Sequence, residues 1–352
     1  MPEENYPSIF NDVIGPVMRG PSSSHCAASV RIGRIARDLM DADIRYVMVE
    51  FDKNGSLATT HKSQGSDMGL CAGLLGWDAK DERMLDSERY IQESGIGIDY
   101  KITDIGFNHP NTYKLILRNS KRELVLIAVS TGGGSIEIIK IDEFEVSFRG
   151  DIFTTLLFSK QNIDNIISYI QTKINIDKLI LHNTDNNYLL EIRTLKSPNK
   201  EQLRDITNNC PGIEVKSLNP VFPVITKSDL KVPFITSDEM LKFRDPEEFK
   251  LWEYAVKYES IRGSMSEKKV MEEMGEIVNI LDQAVDIGIK GTSFSDRILG
   301  FQSGKYKTSL ENKMLSGGES FNTIILYVTA LMEVKSSMGI IVAAPTDRKS
   351  VV

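Results

Sequence analysis

Three adjacent serines and a histidine, Ser22, Ser23, Ser24 and His25, follow a Gly20-Pro21 pair and precede a stretch with helical spacing. Hydroxyls and backbone N–H groups at the start of a helix form a receiving site for a carboxylate or a phosphate. A histidine among them can donate a hydrogen bond or move a proton near neutral pH. The same residues also suit a helix cap with a structural histidine, and taken alone the stretch leaves both readings open. A second polar turn runs from Ser63 to Asp67 around Gly65, making Ser66 and Asp67 candidate ligand residues or ordinary caps. A third holds His109 and Asn111 around Pro110, which forces an extended or turned backbone. Cys26 beside His25 raises a cysteine–histidine nucleophile pair, disfavoured because adjacent helical residues point in different directions.

The elements that must carry these turns can be read from periodicity. Cys26 to Met40 presents Val30, Ile32, Ile35 and Leu39 for burial and predicts a helix; Arg45–Asp52 alternates as a strand, and Asp67–Trp77 is a small-residue helix. Gly132-Gly133-Gly134 reads as a turn between two strands. Between residues 152 and 222 the order is strand, helix, two strands, helix, strand, with Thr184–Asn187 as a turn and Asn199 as a cap. That βαββαβ order is ferredoxin-like. Residues 223–248 are proline-bearing with no clear period and read as an extended linker. From 249 onward the pattern is helical: Phe249 and Trp252 begin one helix, Ser266 caps a long amphipathic one, and Glu319–Ser337 reads as buried. The expected architecture is α+β and multidomain: a mixed α/β N-terminal domain over 6–148, a ferredoxin-like middle domain over 152–222, and an all-α C-terminal domain from 249.

Bulk properties narrow the class. The chain has 352 residues, 41% hydrophobic and 26% charged, enough apolar content for more than one core. A net charge of −7 argues against non-specific nucleic-acid binding. The acidic N-terminus lacks an apolar stretch of the signal-peptide kind, and no apolar run approaches the ~18–20 residues that span a bilayer. A cytoplasmic location is expected, with neither nucleic acid nor membrane as partner. Cys26, Cys71 and Cys210 lie far apart, without a CxxC pair, and read as buried thiols rather than metal ligands.

The stretches "IGPVMRGPSSSH", "GSLATTHKSQGSD", "HPNT" and "STGGGSIEI" occur in this order, followed by "LSGG" and "TALMEVKSSMGIIVAAPT". Together they resemble the iron–sulfur-dependent L-serine dehydratases: a β-type domain at the front, the start of an α-type domain at the back, and a middle domain similar to ACT domains. The resemblance implies an L-serine ammonia-lyase that makes pyruvate and ammonia with a 4Fe-4S cluster acting as Lewis acid. It implies His25 as the leading proton-handling residue. It implies Ser22, Ser23, Ser24, Ser66, Asp67, His109 and Asn111 as substrate-binding residues. In the rear half it adds Ser316, Gly317 and Gly318, with Pro345 and Thr346 from the loop beginning at Ala344. L-serine is the expected small-molecule partner, and paired ACT-like domains imply a homodimer. The alternative is a non-enzymatic amino-acid sensor acting through the middle domain.

Four departures accompany the resemblance. Cys26 stands where the family usually has threonine, and Gln64 where many members have histidine. The three cysteines do not match the family's cluster ligands, so none is assigned to metal and the chain as given is expected not to ligate the cluster. After Thr346 the family continues with Ala-Gly, whereas this chain reads Asp-Arg. The expectation is an incomplete α-type domain, with residues 347–352 a non-native tail.

Overall fold

The computed structural model describes residues 6–107, 109–184, 187–243, 250–294 and 299–348. Of the sequence-predicted features, part of the Thr184–Asn187 turn, the end of the proline-bearing segment, Phe249 and residues 349–352 lie outside the described residues.

The N-terminal part runs β1 (Val17–Arg19), α1 (Ala28–Leu39), β2 (Tyr46–Asp52), α2 (Leu57–Thr60), α3 (Ser66–Leu74), α4 (Ser87–Glu93), β3 (Gly97–Thr103), β4 (Thr112–Arg118), β5 (Glu123–Gly132), β6 (Ser135–Ile141) and β7 (Phe144–Phe148). Strands β3-β2-β4-β5-β6-β7 form one sheet. Only β2 and β3 pair in parallel; Val49 stands opposite Tyr100 on one side and Leu115 on the other. Helices α1 and α3 cover this sheet, and Ile32, Ile35, Leu39, Leu70 and Leu74 join Val49, Phe51, Leu115 and Leu126 in one buried core. The two helices meet through small residues. A Cβ at Gly73 would lie 2.2 Å from the Val30 carbonyl oxygen, so the contact tolerates no side chain there.

Next come β8 (Phe153–Ser159), α5 (Asp164–Lys173), β9 (Lys178–Asn183), β10 (Tyr188–Thr194), α6 (Lys200–Asn209) and β11 (Ile213–Leu218). The sheet order β11-β8-β10-β9 is antiparallel throughout. Asn199 caps α6 by accepting from the Gln202 N–H, and Gln202 returns a bond to the Asn199 N–H. Strand alternation splits the apolar residues between two faces. Leu157, Leu190 and Ile192 pack under the two helices. Leu156, Leu189 and Leu218 instead join the core of the larger sheet. The βαββαβ unit is therefore welded to the N-terminal part through its second face.

The last part holds α7 (Ser237–Phe243), α8 (Leu251–Gly263), α9 (Glu267–Lys290), α10 (Ser303–Glu311), α11 (Glu319–Ser336) and β12 (Ile340–Val342). Three features differ from the sequence-based expectation. The segment after residue 223 is not free: Val224 is buried, Asn11 bonds its carbonyl and N–H, and Phe234 packs on Phe243, Tyr254 and Tyr258. The C-terminal block is not purely helical, because β12 pairs antiparallel with β1, Val17 opposite Val342. Helix α11 is not buried all round; Phe321, Ile324, Tyr327, Val328 and Met332 are 43–61% exposed. Its apolar residues surround the helix, and only one side meets α9, where a Cβ at Gly288 would sit 2.3 Å from the Ala330 carbonyl oxygen. Among the described residues no helix is long and apolar enough to cross a membrane.

Candidate functional site

The serine turn lies between β1 and α1. Ser23–Ala27 forms a wide helical turn, closed by the Ala28 N–H on the Ser23 carbonyl, before α1 proper begins at Ala28. Single wide turns of this kind recur at functional sites. Ser22 stands at its head in extended conformation and gives no side-chain cap to the first N–H groups. The hydroxyls of Ser22 and Ser24 turn inward. The Ser22 Oγ lies 2.9 Å from His25 Nδ1 and 3.2 Å from the Ser24 Oγ.

Hydrogen-bond accounting assigns the tautomer of His25. Thr60 donates its hydroxyl proton to the Ser56 carbonyl at 2.6 Å. It must therefore accept from His25 Nε2, 3.0 Å away, which places the ring proton on Nε2. Nδ1 faces the Ser22 and Ser24 hydroxyls. Ser23 differs from its neighbours: it is half-buried, and its hydroxyl has no hydrogen-bond partner among the described residues.

A closed circuit holds this turn. Ser56 donates to Asn111 Oδ1. The Asn111 carbonyl accepts from the Ser130 N–H, and the Ser130 hydroxyl donates to the Ser24 carbonyl at 2.8 Å. The circuit thus runs His25, Thr60, Ser56, Asn111, Ser130, Ser24. Thr60, Ser56 and Ser130 were not singled out from the sequence as site residues. Ser130 stands in the glycine-rich stretch and Thr60 six residues before Ser66, yet neither has a spacing signal of its own. His109 sits at the edge, its Nδ1 accepting from the Asn111 N–H at 3.2 Å.

Ser66 and Asp67 face elsewhere. Ser66 is fully buried, with its hydroxyl 2.9 Å from that of Tyr113. The Asp67 carboxylate accepts from His61 Nδ1 at 2.7 Å, and burial raises its pKa. His61 packs against Phe51 and Tyr100. This pair supports the turn from behind, while the Gln64 carbonyl accepts from the Cys26 thiol at 3.2 Å.

The rear loops separate. The β1–β12 ladder carries Ala343 onto Gly15 and Pro16, and Thr346 reaches the Val13 carbonyl at 3.4 Å. Pro345 rests on Gly133, where a Cβ would lie 2.4 Å from the proline ring; with φ +61 at the same residue, this turn needs glycine twice over. Pro345 and Thr346 therefore pack against the N-terminal part, at Gly133 and Val13. Ser316, Gly317 and Gly318 do not lie beside the serine turn. They stand at the N-terminal end of α11, whose 18 residues span roughly 27 Å, while the other end of α11 packs near Cys26 through Val334. Asn322 fixes the loop by donating to the Ser316 and Gly318 carbonyls.

The cysteines do not fit a shared iron–sulfur cluster. All three are buried in different cores: Cys26 under the serine turn, Cys71 on α3, Cys210 at the end of α6. Burial pushes the Cys26 and Cys71 thiols up to about 12, away from the thiolate a metal needs. The same burial argues against Cys26 as a nucleophile. Among the described residues no group of three His, Cys, Asp or Glu side chains converges as a ligand set.

No family model matches the chain. It is 42% identical over 146 residues to the probable L-serine dehydratase beta chain of Bacillus subtilis (strain 168), covering 42% of this chain and 65% of that relative. It is 35% identical over 192 residues to the L-serine dehydratase beta chain of Peptoniphilus asaccharolyticus, covering 52% of this chain and 83% of that relative. The chain thus spans just under two thirds of the length of the Bacillus relative.

Proposed function

The chain belongs to the L-serine dehydratase family, and from that premise we propose that its serine turn holds L-serine while His25 handles the proton removed from it. The reaction is an elimination of water from L-serine: the Cα–H and Cβ–O bonds break and an enamine forms, which tautomerises and hydrolyses to pyruvate and ammonia. The observation that carries this reading is the His25 ring, held with Nε2 on Thr60 and Nδ1 facing two serine hydroxyls. A base of this kind accepts a proton through Ser22 or Ser24 without reorienting its ring. The uncapped N–H groups at the head of the turn and the Ser23 hydroxyl suit the substrate carboxylate. The cysteines present do not fit the cluster expected from the family, so no step is assigned to it.

Titration calorimetry with L-serine tests this reading. Saturable binding is expected, weaker with L-alanine, which lacks the leaving hydroxyl. Ser23→Ala should weaken it by about 10–150-fold, the worth of one lost hydrogen bond to a charged group. Absence of saturable L-serine binding, or binding indifferent to Ser23→Ala and to His25→Ala, would overturn the assignment.

A further inference from the structure

A cavity of about 410 Å³ lies on the other side of α1, away from the Ser22–His25 hydroxyls. Its walls come from the loop before β1, from α1, from the Asp78–Lys80 stretch, from the Pro220–Val224 segment and from α9, so three parts of the chain meet around it. Pro16, Val17, Val30, Phe222 and Ile280 make most of it apolar. One strong charge lies deep within it. Arg31 is 5% exposed and lines the cavity. Its Nη1 donates to the Gly134 carbonyl at 2.6 Å, and its guanidinium stacks on the Phe222 ring at 3.8 Å.

Arg31 makes no ion pair among the described residues. Of the two acids near enough to favour its charge, Asp12 is already held by Arg149 at 2.6 Å and Asp151 forms no ion pair with it, and at the rim Lys269 is held by Glu273 at 2.6 Å. Burial pulls the Arg31 pKa down to about 9, and the charges of Arg149 and Arg34 add to the effect. A buried cation without a carboxylate is costly to keep, and an anion entering the cavity would relieve that cost. The apolar walls favour a ligand that is not all charge.

We propose that this cavity binds a small organic carboxylate with a short apolar body, the carboxylate received by Arg31 and the body by Val17, Val30, Phe222 and Ile280. Nothing in the serine-binding reading requires this second site. The two are linked through Gly134: the guanidinium that receives the ligand also holds the turn on which Pro345 rests.

Isobutyrate, isobutyramide and inorganic phosphate are suitable probes, titrated against the full chain by calorimetry. Isobutyrate should bind saturably with one site per chain, isobutyramide should bind at least 10-fold more weakly, and phosphate should also bind more weakly. Arg31→Met keeps the apolar stem and should abolish isobutyrate binding. Ile280→Trp fills the cavity from the α9 surface and should do the same if Arg31→Met fails to fold. His25→Ala should leave isobutyrate binding intact, which separates this site from the serine turn. No saturable isobutyrate binding, equal binding of the amide, preference for phosphate, loss in His25→Ala, or retention in Ile280→Trp would each overturn the proposal.

Discussion

The helix pair α1/α3 and the helix pair α9/α11 use one device to opposite ends. In both, a glycine lets two backbones touch: Gly73 against Val30, Gly288 against Ala330. The first pair is then sealed on its outer side by a six-stranded sheet, and Ile32, Ile35, Leu70 and Leu74 are fully buried. The second pair has no such cover, and Phe321, Ile324 and Val328 on α11 are more than half exposed. A close helix contact therefore fixes geometry in both places but builds a deep core only where a third layer follows. The serine turn hangs from the sealed pair, through Cys26 and α1, and so inherits its rigidity.

The largest test of this contrast is steric. Gly73→Ala should cost about 3 kcal/mol or more, because neither helix can retreat from the sheet. Gly288→Ala places its Cβ as close to backbone, yet should cost about 1–2 kcal/mol less, because α11 can move outward. Urea unfolding of both variants reads the difference, and equal losses would break the comparison. Next in size, Ser130→Ala should cost about 1–2 kcal/mol by removing the bond to the Ser24 carbonyl in a buried setting, and should weaken L-serine binding with it.

A pH profile gives a third, smaller effect. Glu259 of α8 is fully buried, and burial raises its pKa although Ser8 and the Ile9 N–H donate to it. A carboxyl raised in the folded state binds its proton more tightly there than in the unfolded chain. Relative to Glu259→Gln, the wild type should be at its best below about pH 4 and lose ground as pH rises through the raised value. Thermal melts of the two proteins across that range show the sign, and a difference that grows in favour of the wild type with rising pH would contradict it. Smallest of all, Ile324→Gln on the open face of α11 should change stability by no more than about 0.5 kcal/mol by the same urea measurement.

Local patterns in the sequence reach far into this fold. The alternation of β2 and β8–β11, the caps at Asn199 and Ser266, and the Gly132–Gly134 turn are all written within windows of a few residues, where periodicity and turn chemistry decide. What joins distant windows is less visible. Strands β1 and β12 have three residues each and stand over 300 positions apart, so no period announces them. The site divides the same way. Ser22, Ser24 and His25 are legible as a cluster, whereas Thr60 and Ser130 become part of it only because β5 and α2 fold against the serine turn. Arg31 carries no signal of its own in the sequence; its guanidinium stacks on Phe222, almost two hundred residues on.

The ladder between β1 and β12 carries a temporal consequence. Ribosomes deliver residue 17 long before residue 342, and until the later strand emerges Met18 has no opposite number and Gly133 no proline to rest upon. Contacts of such long sequence separation form late, after nearer pairings have already settled. The nascent protein would thus carry its sheets assembled but this ladder open, and close it only as β12 slots home.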